Sequence, residues 1–174
     1  MAPGMSAPTA GLRHTVVPTP LGDLTIACST VGVVATSFDD DERDMDLEPA
    51  SSSRGSRAGT LARAARREVE RYFAGSLRTF SVPPDLTLVS GTFGRRVLEV
   101  VTTIPYGELW TYGDVAGMAG SPRAARAAGS ALAGCPIELF VPCHRVVHAG
   151  NTMGGYGRHE DRKRWLLRHE GAGA

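Results

Sequence analysis

Cys143 and His144 are neighbours in the stretch Val141-Pro142-Cys143-His144-Arg145-Val146-Val147. That adjacency constrains the fold more than any other feature of the chain. In a plain strand successive side chains point to opposite faces. The thiol and the imidazole therefore work together only if the backbone bends there or a water links them. The thiolate is the nucleophile, and a free cysteine with a pKa of ~8.5 is mostly protonated at neutral pH. A neighbouring base or positive charge is the usual remedy. Pro142 fixes the backbone before the sulfur, and Arg145 adds a positive charge just after it. The competing reading is a small buried cysteine in an apolar segment, a frequent place for a free thiol.

The 174 residues suffice for one sizeable domain or two small ones. Residues 1–12 are rich in Pro, Gly and Ala and read as a flexible tail. Short strands are expected at 15–17, 24–28 and 31–38, separated by turn-forming residues. Residues near 39–60 combine an acidic run with a serine-rich stretch, as in a mobile surface loop. A helix is expected over 61–73, where Leu61, Ala65, Val69 and Phe73 recur every four residues as an apolar stripe. Residues 81–88 look like an extended return segment.

From Gly91 the pattern turns helical. Thr92 is placed to cap a helix to about Val101, with Phe93, Val97, Leu98 and Val101 inward. Ile104-Pro105-Tyr106-Gly107 ends it. Thr111 caps a helix over 112–119, Gly120-Ser121-Pro122 forms a turn, and a further helix covers 123–132. Two short helices joined by a Gly-containing turn read as a helix-turn-helix. The second, Arg123-Ala124-Ala125-Arg126-Ala127-Ala128-Gly129-Ser130-Ala131-Leu132, has few long polar side chains. A major-groove reader needs Asn, Gln, Arg or Lys aimed at base edges. A thin helix of Ala and Gly suits close, sequence-independent approach through phosphate contacts and shape. Tight packing on a neighbouring helix would also explain the alanines.

Charge is uneven. Residues 1–120 hold eleven basic and fourteen acidic side chains, and residues 121–174 hold eight and four. The net values of −3 and +4 put any phosphate-facing surface in the C-terminal part. No apolar run nears the ~18 residues of a membrane span, and the N-terminus lacks the pattern of a secretory signal. Cys28, Cys135 and Cys143 form an odd set without metal-like spacing, which fits a reducing cytoplasm.

The ordered motifs Thr19-Pro20-Leu21-Gly22-Asp23-Leu24-Thr25, Glu70-Arg71-Tyr72-Phe73-Ala74-Gly75, Ile104-Pro105-Tyr106-Gly107-Glu108, Pro142-Cys143-His144-Arg145-Val146 and Arg162-Lys163-Arg164-Trp165-Leu166-Leu167 resemble the O6-alkylguanine-DNA alkyltransferases, the methylated-DNA–protein-cysteine methyltransferases. The resemblance is dense from about residue 91 to 172 and thinner upstream. It implies an α/β N-terminal domain, ribonuclease H-like, over 13–88. A mainly α C-terminal domain with a winged-helix-like helix-turn-helix follows over 91–174. The implied reaction moves the alkyl group of O6-alkylguanine, with O4-alkylthymine as a second candidate, onto Cys143. Each molecule would act once, on double-stranded DNA, as a monomer, without cofactor or metal.

The resemblance also assigns roles. His144 would be the base that reaches the sulfur through a water, and Glu170 the carboxylate that orients it, as in Cys-His-acid hydrolases. Arg126 would fill the stack in place of the extruded guanine. Tyr112 would meet the target nucleotide's phosphate and guanine ring, with Arg123 and Arg145 as further DNA-facing cations. Tyr156 and Gly157 belong to the loop that closes over the base, Leu132 and Pro142 line the alkyl pocket, and the carbonyl of Val146 reads the base.

Three departures stand out. Cys135 occupies a position where the family usually has Asn. Cysteine is a poor replacement donor and acceptor, which implies a looser hinge or a compensating contact. A disulfide with Cys143, if the backbone allows it, would silence the protein. Gly157-Arg158-His159 replaces a smaller segment and should favour methyl over benzyl, and Gly94 replaces a frequent Gln. Three other functions compete: a non-catalytic alkyl-lesion binder, a transcriptional regulator, and a Cys-His hydrolase. The shortage of base-reading side chains counts against the regulator. The lack of any sign of an oxyanion hole counts against the hydrolase.

Overall fold

The computed structural model describes residues 11–39, 55–156 and 159–172. Most of the expected tail, most of the expected acidic loop, and Gly157 and Arg158 lie outside the described residues. Three strands, β1 (Arg13–Thr19), β2 (Gly22–Cys28) and β3 (Val33–Phe38), form an antiparallel sheet in sequence order. Val17 pairs with Leu24, and Leu24 with Phe38, so all three point to one buried face. Thr19 closes the first turn: its hydroxyl donates to the Gly22 carbonyl at 2.6 Å and accepts the Leu21 N–H at 3.1 Å.

Helix α1 (Arg57–Phe73) packs across this sheet, its first turn capped by the Ser56 hydroxyl. Its buried side chains are Ala58, Ala62, Ala65, Val69 and Tyr72, while Leu61 and Phe73 are only half-buried. The inner face is thus rotated from the expected stripe, because small alanines let the helix approach the strands and Tyr72 reaches inward to a polar partner.

The second half is helical: α2 (Thr92–Val101), α3 (Tyr112–Met118), α4 (Ala125–Ala133) and α5 (Glu160–Glu170). Thr111 caps α3 and Asp114 closes a reciprocal capping box. Gly91, not Thr92, is the cap of α2, so Thr92 is its first helical residue. Helix α4 begins two residues later than expected. Residues 121–124 are a turn closed by the Ala124 N–H on the Ser121 carbonyl, and Arg123 lies on it, exposed. A two-residue parallel pair, β4 (Trp110–Thr111) with β5 (Val146–Val147), was not expected. It fixes the start of α3 beside the segment that carries Cys143.

One apolar cluster runs from Val17 and Leu24 through Tyr72 and Leu98 to Cys135, Cys143 and Leu166. The halves also share polar ties. The Thr36 N–H donates to the Pro136 carbonyl at 2.8 Å and its hydroxyl to that of Glu138 at 3.1 Å. β3 therefore braces the stretch leading to Cys143. No helix among the described residues is long and apolar enough to cross a membrane.

Candidate active site

Cys143–Arg145 forms a single 3-10 turn between Pro142 and β5, so the backbone bends at the Cys-His pair. The Cys143 N–H donates to the Val141 carbonyl at 2.8 Å and the Arg145 N–H to that of Pro142 at 2.9 Å. His144 and Arg145 point into the protein, while Cys143 forms part of a cavity wall.

Behind the turn sits the carboxylate of Glu170, the last residue of α5. Gly171 ends that helix in the left-handed region at φ 67°, which glycine adopts at little cost. Glu170 Oε1 accepts hydrogen bonds from Tyr72 Oη (2.6 Å), His144 Nε2 (2.9 Å) and Arg145 Nη2 (2.9 Å). Oε2 accepts from Arg145 Nε (2.8 Å) and the Gly107 N–H (3.1 Å). A carboxylate offers about four lone-pair sites, so this one is saturated. Burial alone would raise its pKa, but the hydrogen bonds from His144 and Arg145 outweigh burial and hold it well below the usual carboxylate range. Burial, reinforced by Glu170, pushes the Tyr72 hydroxyl far above its ordinary value.

Burial lowers the pKa of His144, against the pull of Glu170, and so favours the neutral ring. An ionised carboxylate only accepts, so Nε2 carries the ring hydrogen and Nδ1 keeps its lone pair. Nδ1 is buried without a hydrogen-bond partner among the described residues. The neighbouring Cys135 thiol and burial push the Cys143 thiol up, partly offset by the charge of Lys163.

In front of the sulfur lies a cavity of about 450 Å³ lined by Tyr112, Arg126, Gly129, Leu132, Cys143, His148 and Tyr156, among others. That volume is within the usual range for a small-molecule site. Tyr112 Oη donates to the Gly155 carbonyl at 3.4 Å, and its ring lies 5.1 Å from that of His148. A Cβ on Gly154 would collide with the Tyr112 side chain, so glycine there lets the loop close on the tyrosine. Tyr156 is buried and its hydroxyl has no hydrogen-bond partner among the described residues.

The expected site residues thus divide. Cys143, Tyr112, Arg126, Leu132 and Tyr156 share the cavity, and His144 and Glu170 stand behind the sulfur. Pro142 and Val146 are buried but are not among the residues lining the cavity, and the Val146 carbonyl accepts from Lys163 Nζ at 2.6 Å. Arg145 corrects the expectation of a DNA-facing cation: its Nη1 donates to the Ile104 carbonyl at 2.6 Å and its other nitrogens bind Glu170. The positive excess of residues 121–174, expected to mark any phosphate-facing surface, is revised likewise. Lys163 is fully buried, with a pKa lowered to about 8 by burial, and the Arg162 guanidinium lies 3.9 Å from the centre of the Phe38 ring. Part of the positive excess of residues 121–174 is internal.

Sequence reasoning missed Tyr72, Lys163 and His148. Lys163 had a signal: Arg162, Lys163, Leu166, Leu167 and Glu170 follow helical i, i+3/i+4 spacing as one inward face. Tyr72 lies in a quoted motif but carries no sequence sign of its partner 98 residues away.

The comparisons with known proteins cover both halves. The family model described as 6-O-methylguanine DNA methyltransferase, DNA binding domain, matches residues 92–172, and its ribonuclease-like domain matches residues 12–86. A Thermus thermophilus protein named DNA base-flipping protein is 42% identical over 159 residues, spanning 90% of this chain and 98% of its own. A Mycobacterium bovis methylated-DNA–protein-cysteine methyltransferase is 38% identical over 160 residues, spanning 91% and 92%. The crystal structure of Mycobacterium tuberculosis OGT in complex with DNA superposes with a TM-score of 0.76 at 36% identity over 91% of each chain.

Proposed function

The chain belongs to the 6-O-methylguanine DNA methyltransferase family, and from that membership and the surroundings of Cys143 we infer that it repairs DNA by taking the alkyl group of O6-alkylguanine onto its own sulfur. The observation that carries this reading is the placement of Cys143, with its thiol on the cavity wall and the His144–Glu170 pair directly behind it. We take 13–88 as the supporting unit and 91–174 as the unit that meets DNA and accepts the alkyl group.

Chemistry on a base requires taking it out of the stack, at a cost of a few kcal/mol. Arg126, exposed at the cavity edge, fills the gap left in the duplex. The extruded base enters between Tyr112 and Tyr156, with Leu132 against the alkyl group. The Cys143 proton passes through a water to His144 Nδ1, the open lone pair of the ring, and Glu170 stabilises the imidazolium. The sulfur attacks the alkyl carbon and the carbon–O6 bond breaks. The proton taken from the thiol ends on the guanine. The products are S-alkylcysteine and intact guanine, so each protein acts once. Because the neighbouring Cys135 thiol and burial raise the pKa of the resting thiol, the nucleophile forms only as this proton leaves. One copy completes the site, so the active form is a monomer, and the free cysteines suit the cytoplasm.

A second reading is lesion binding without transfer, since the similar Thermus thermophilus protein is named for base flipping and not for methyl transfer. One experiment separates the two. Duplex DNA carrying a single O6-methylguanine is incubated with the protein, and the peptide containing Cys143 is weighed. A gain of one methylene, saturating at one per protein, supports transfer. DNA binding without any gain overturns it in favour of the lesion binder.

A further inference from the structure

We propose that His148 is a positioning residue: its ring holds the Tyr112 ring in place as a wall of the cavity that receives the extruded base. The parallel pair β4–β5 sets this juxtaposition. Trp110 is in register with Val146 and Thr111 with Val147, so one step further along both strands Tyr112 stands beside His148. The two ring centroids are 5.1 Å apart, within the usual spacing of an aromatic pair. Both residues line the cavity that Cys143 borders. His148 is itself anchored, although its side chain is exposed. Its N–H donates to the Thr152 carbonyl at 2.9 Å, which closes a tight loop directly after β5.

The other contacts of Tyr112 leave this task to His148. The tyrosine hydroxyl donates to the Gly155 carbonyl across 3.4 Å, well past the roughly 3.0 Å upper end of ordinary O–H···O bonds. So long a bond neither fixes the ring nor ties up the hydroxyl, which can turn to an incoming nucleotide. Gly129 of α4 and Gly154 flank the ring without side chains. They admit it but offer little surface to hold it. Among the described residues, His148 supplies the one aromatic ring paired with that of Tyr112. When the hydroxyl leaves Gly155 for the base, the His148 contact keeps the ring from following. A wall built before the base arrives acts on the step in which the base enters and reacts. It does not act on the phosphate contacts that gather the duplex. The inference rests on base extrusion into this cavity, as proposed above, and needs no assumption about alkyl transfer.

The test compares His148→Ala, His148→Gln and His148→Phe with the unsubstituted full chain. Excess protein meets a duplex carrying one O6-methylguanine beside 2-aminopurine, whose fluorescence reports the base leaving the stack. Rates of extrusion and of methyl uptake are read against protein concentration. In His148→Ala and His148→Gln the limiting rates should fall by about two- to tenfold, the worth of one aromatic pair, while the half-saturating concentration moves by less than about twofold. His148→Phe should restore the limiting rates, because it keeps a ring without the imidazole nitrogens. Unchanged limiting rates in His148→Ala or His148→Gln overturn the proposal. Failure of His148→Phe to restore them also overturns it, since the ring nitrogens would then be the active feature. A salt slope of binding lowered by about one in all three variants overturns it too, by making His148 a phosphate contact. If His148→Ala does not fold, His148→Gln and His148→Phe carry the same contrast. Extrusion without methyl uptake refutes the transfer reading alone, and the extrusion rates still rank the variants. No extrusion by the unsubstituted chain overturns both.

Discussion

The two sides of the Cys143 sulfur are built on opposite principles. Behind it, Tyr72, Gly107, His144 and Arg145 all donate to the buried carboxylate of Glu170. In front of it, the cavity is framed by small residues, two tyrosines and an exposed arginine with few internal bonds. Removing one member of a buried charge pair costs about 3–5 kcal/mol because the other charge is stranded. Surface changes away from such features usually stay within ~0.5 kcal/mol. The rear should therefore govern folding and the front should govern DNA.

The largest effect should follow Glu170→Gln. The amide turns one of two saturated acceptor oxygens into a donor facing Arg145 or His144 and leaves Arg145 without its counter-charge. Stability should fall by about 3–5 kcal/mol, read by urea or thermal unfolding. A loss under ~1 kcal/mol would show that the rear is not the stabilising side.

Acid should act through the same network. Burial depresses the folded pKa of His144, so its contribution is complete above the unfolded value of ~6.5 and is lost as pH falls below it. Glu170 is depressed by its hydrogen bonds with His144 and Arg145 despite burial. Its contribution is complete above ~4.3 and is lost on further acidification toward its folded value. Denaturation midpoints should decline from about pH 6.5 and more steeply below ~4.3. Midpoints flat from pH 7 to 4 would contradict both assignments.

Tyr72→Phe removes one donor from Glu170 and leaves four. The carboxylate stays satisfied, so the loss should be only about 1–2 kcal/mol. A loss as large as that of Glu170→Gln would mean the network fails as a unit and that the tyrosine is its keystone.

The front half of the comparison was the more legible in sequence. Thr111 as a cap follows from local chemistry, a bend at Cys143 is one of two ways to join the Cys-His pair, and the grouping of Cys143, Tyr112, Arg126, Leu132 and Tyr156 comes from the family resemblance. The rear was legible only in its His144–Glu170 pair. Arg145 beside a reactive cysteine looks the same in sequence whether it faces phosphate or a carboxylate 25 residues away. Lys163 sits in a basic run that reads as solvated surface until the helix is oriented. The later start of α4 escaped notice because Pro122 suits a turn as well as a first helical position. Long-range polar pairing leaves no periodicity, whereas caps and apolar faces do.

Gly94 extends the comparison to the scaffold of the front. It lies in α2, and a Cβ there would meet only the Ala131 Cβ of α4, at 3.8 Å, an ordinary contact. Gly94→Ala should therefore stabilise by about 0.4–1 kcal/mol through the unfolded chain. Destabilisation in thermal unfolding would mean that α2 and α4 need closer approach than their packing indicates.

The smallest stability effect should come from Arg126→Ala, and this variant separates the two sides most cleanly. Arg126 is exposed on α4, and among the described residues its side chain enters no salt bridge. Its removal should change unfolding free energy by less than ~0.5 kcal/mol. DNA affinity has no such protection if the proposed function holds, because Arg126 lines the cavity that would receive the extruded base. If it fills the stack, its loss should weaken binding to O6-methylguanine DNA and slow methyl uptake, with the salt slope of binding nearly unchanged. If it only neutralises a phosphate, the salt slope should instead fall by about one. Titrations of the variant at several salt concentrations, beside its melting curve, distinguish the two. A variant that melts early while binding DNA normally would reverse the assignment of folding to the rear and recognition to the front.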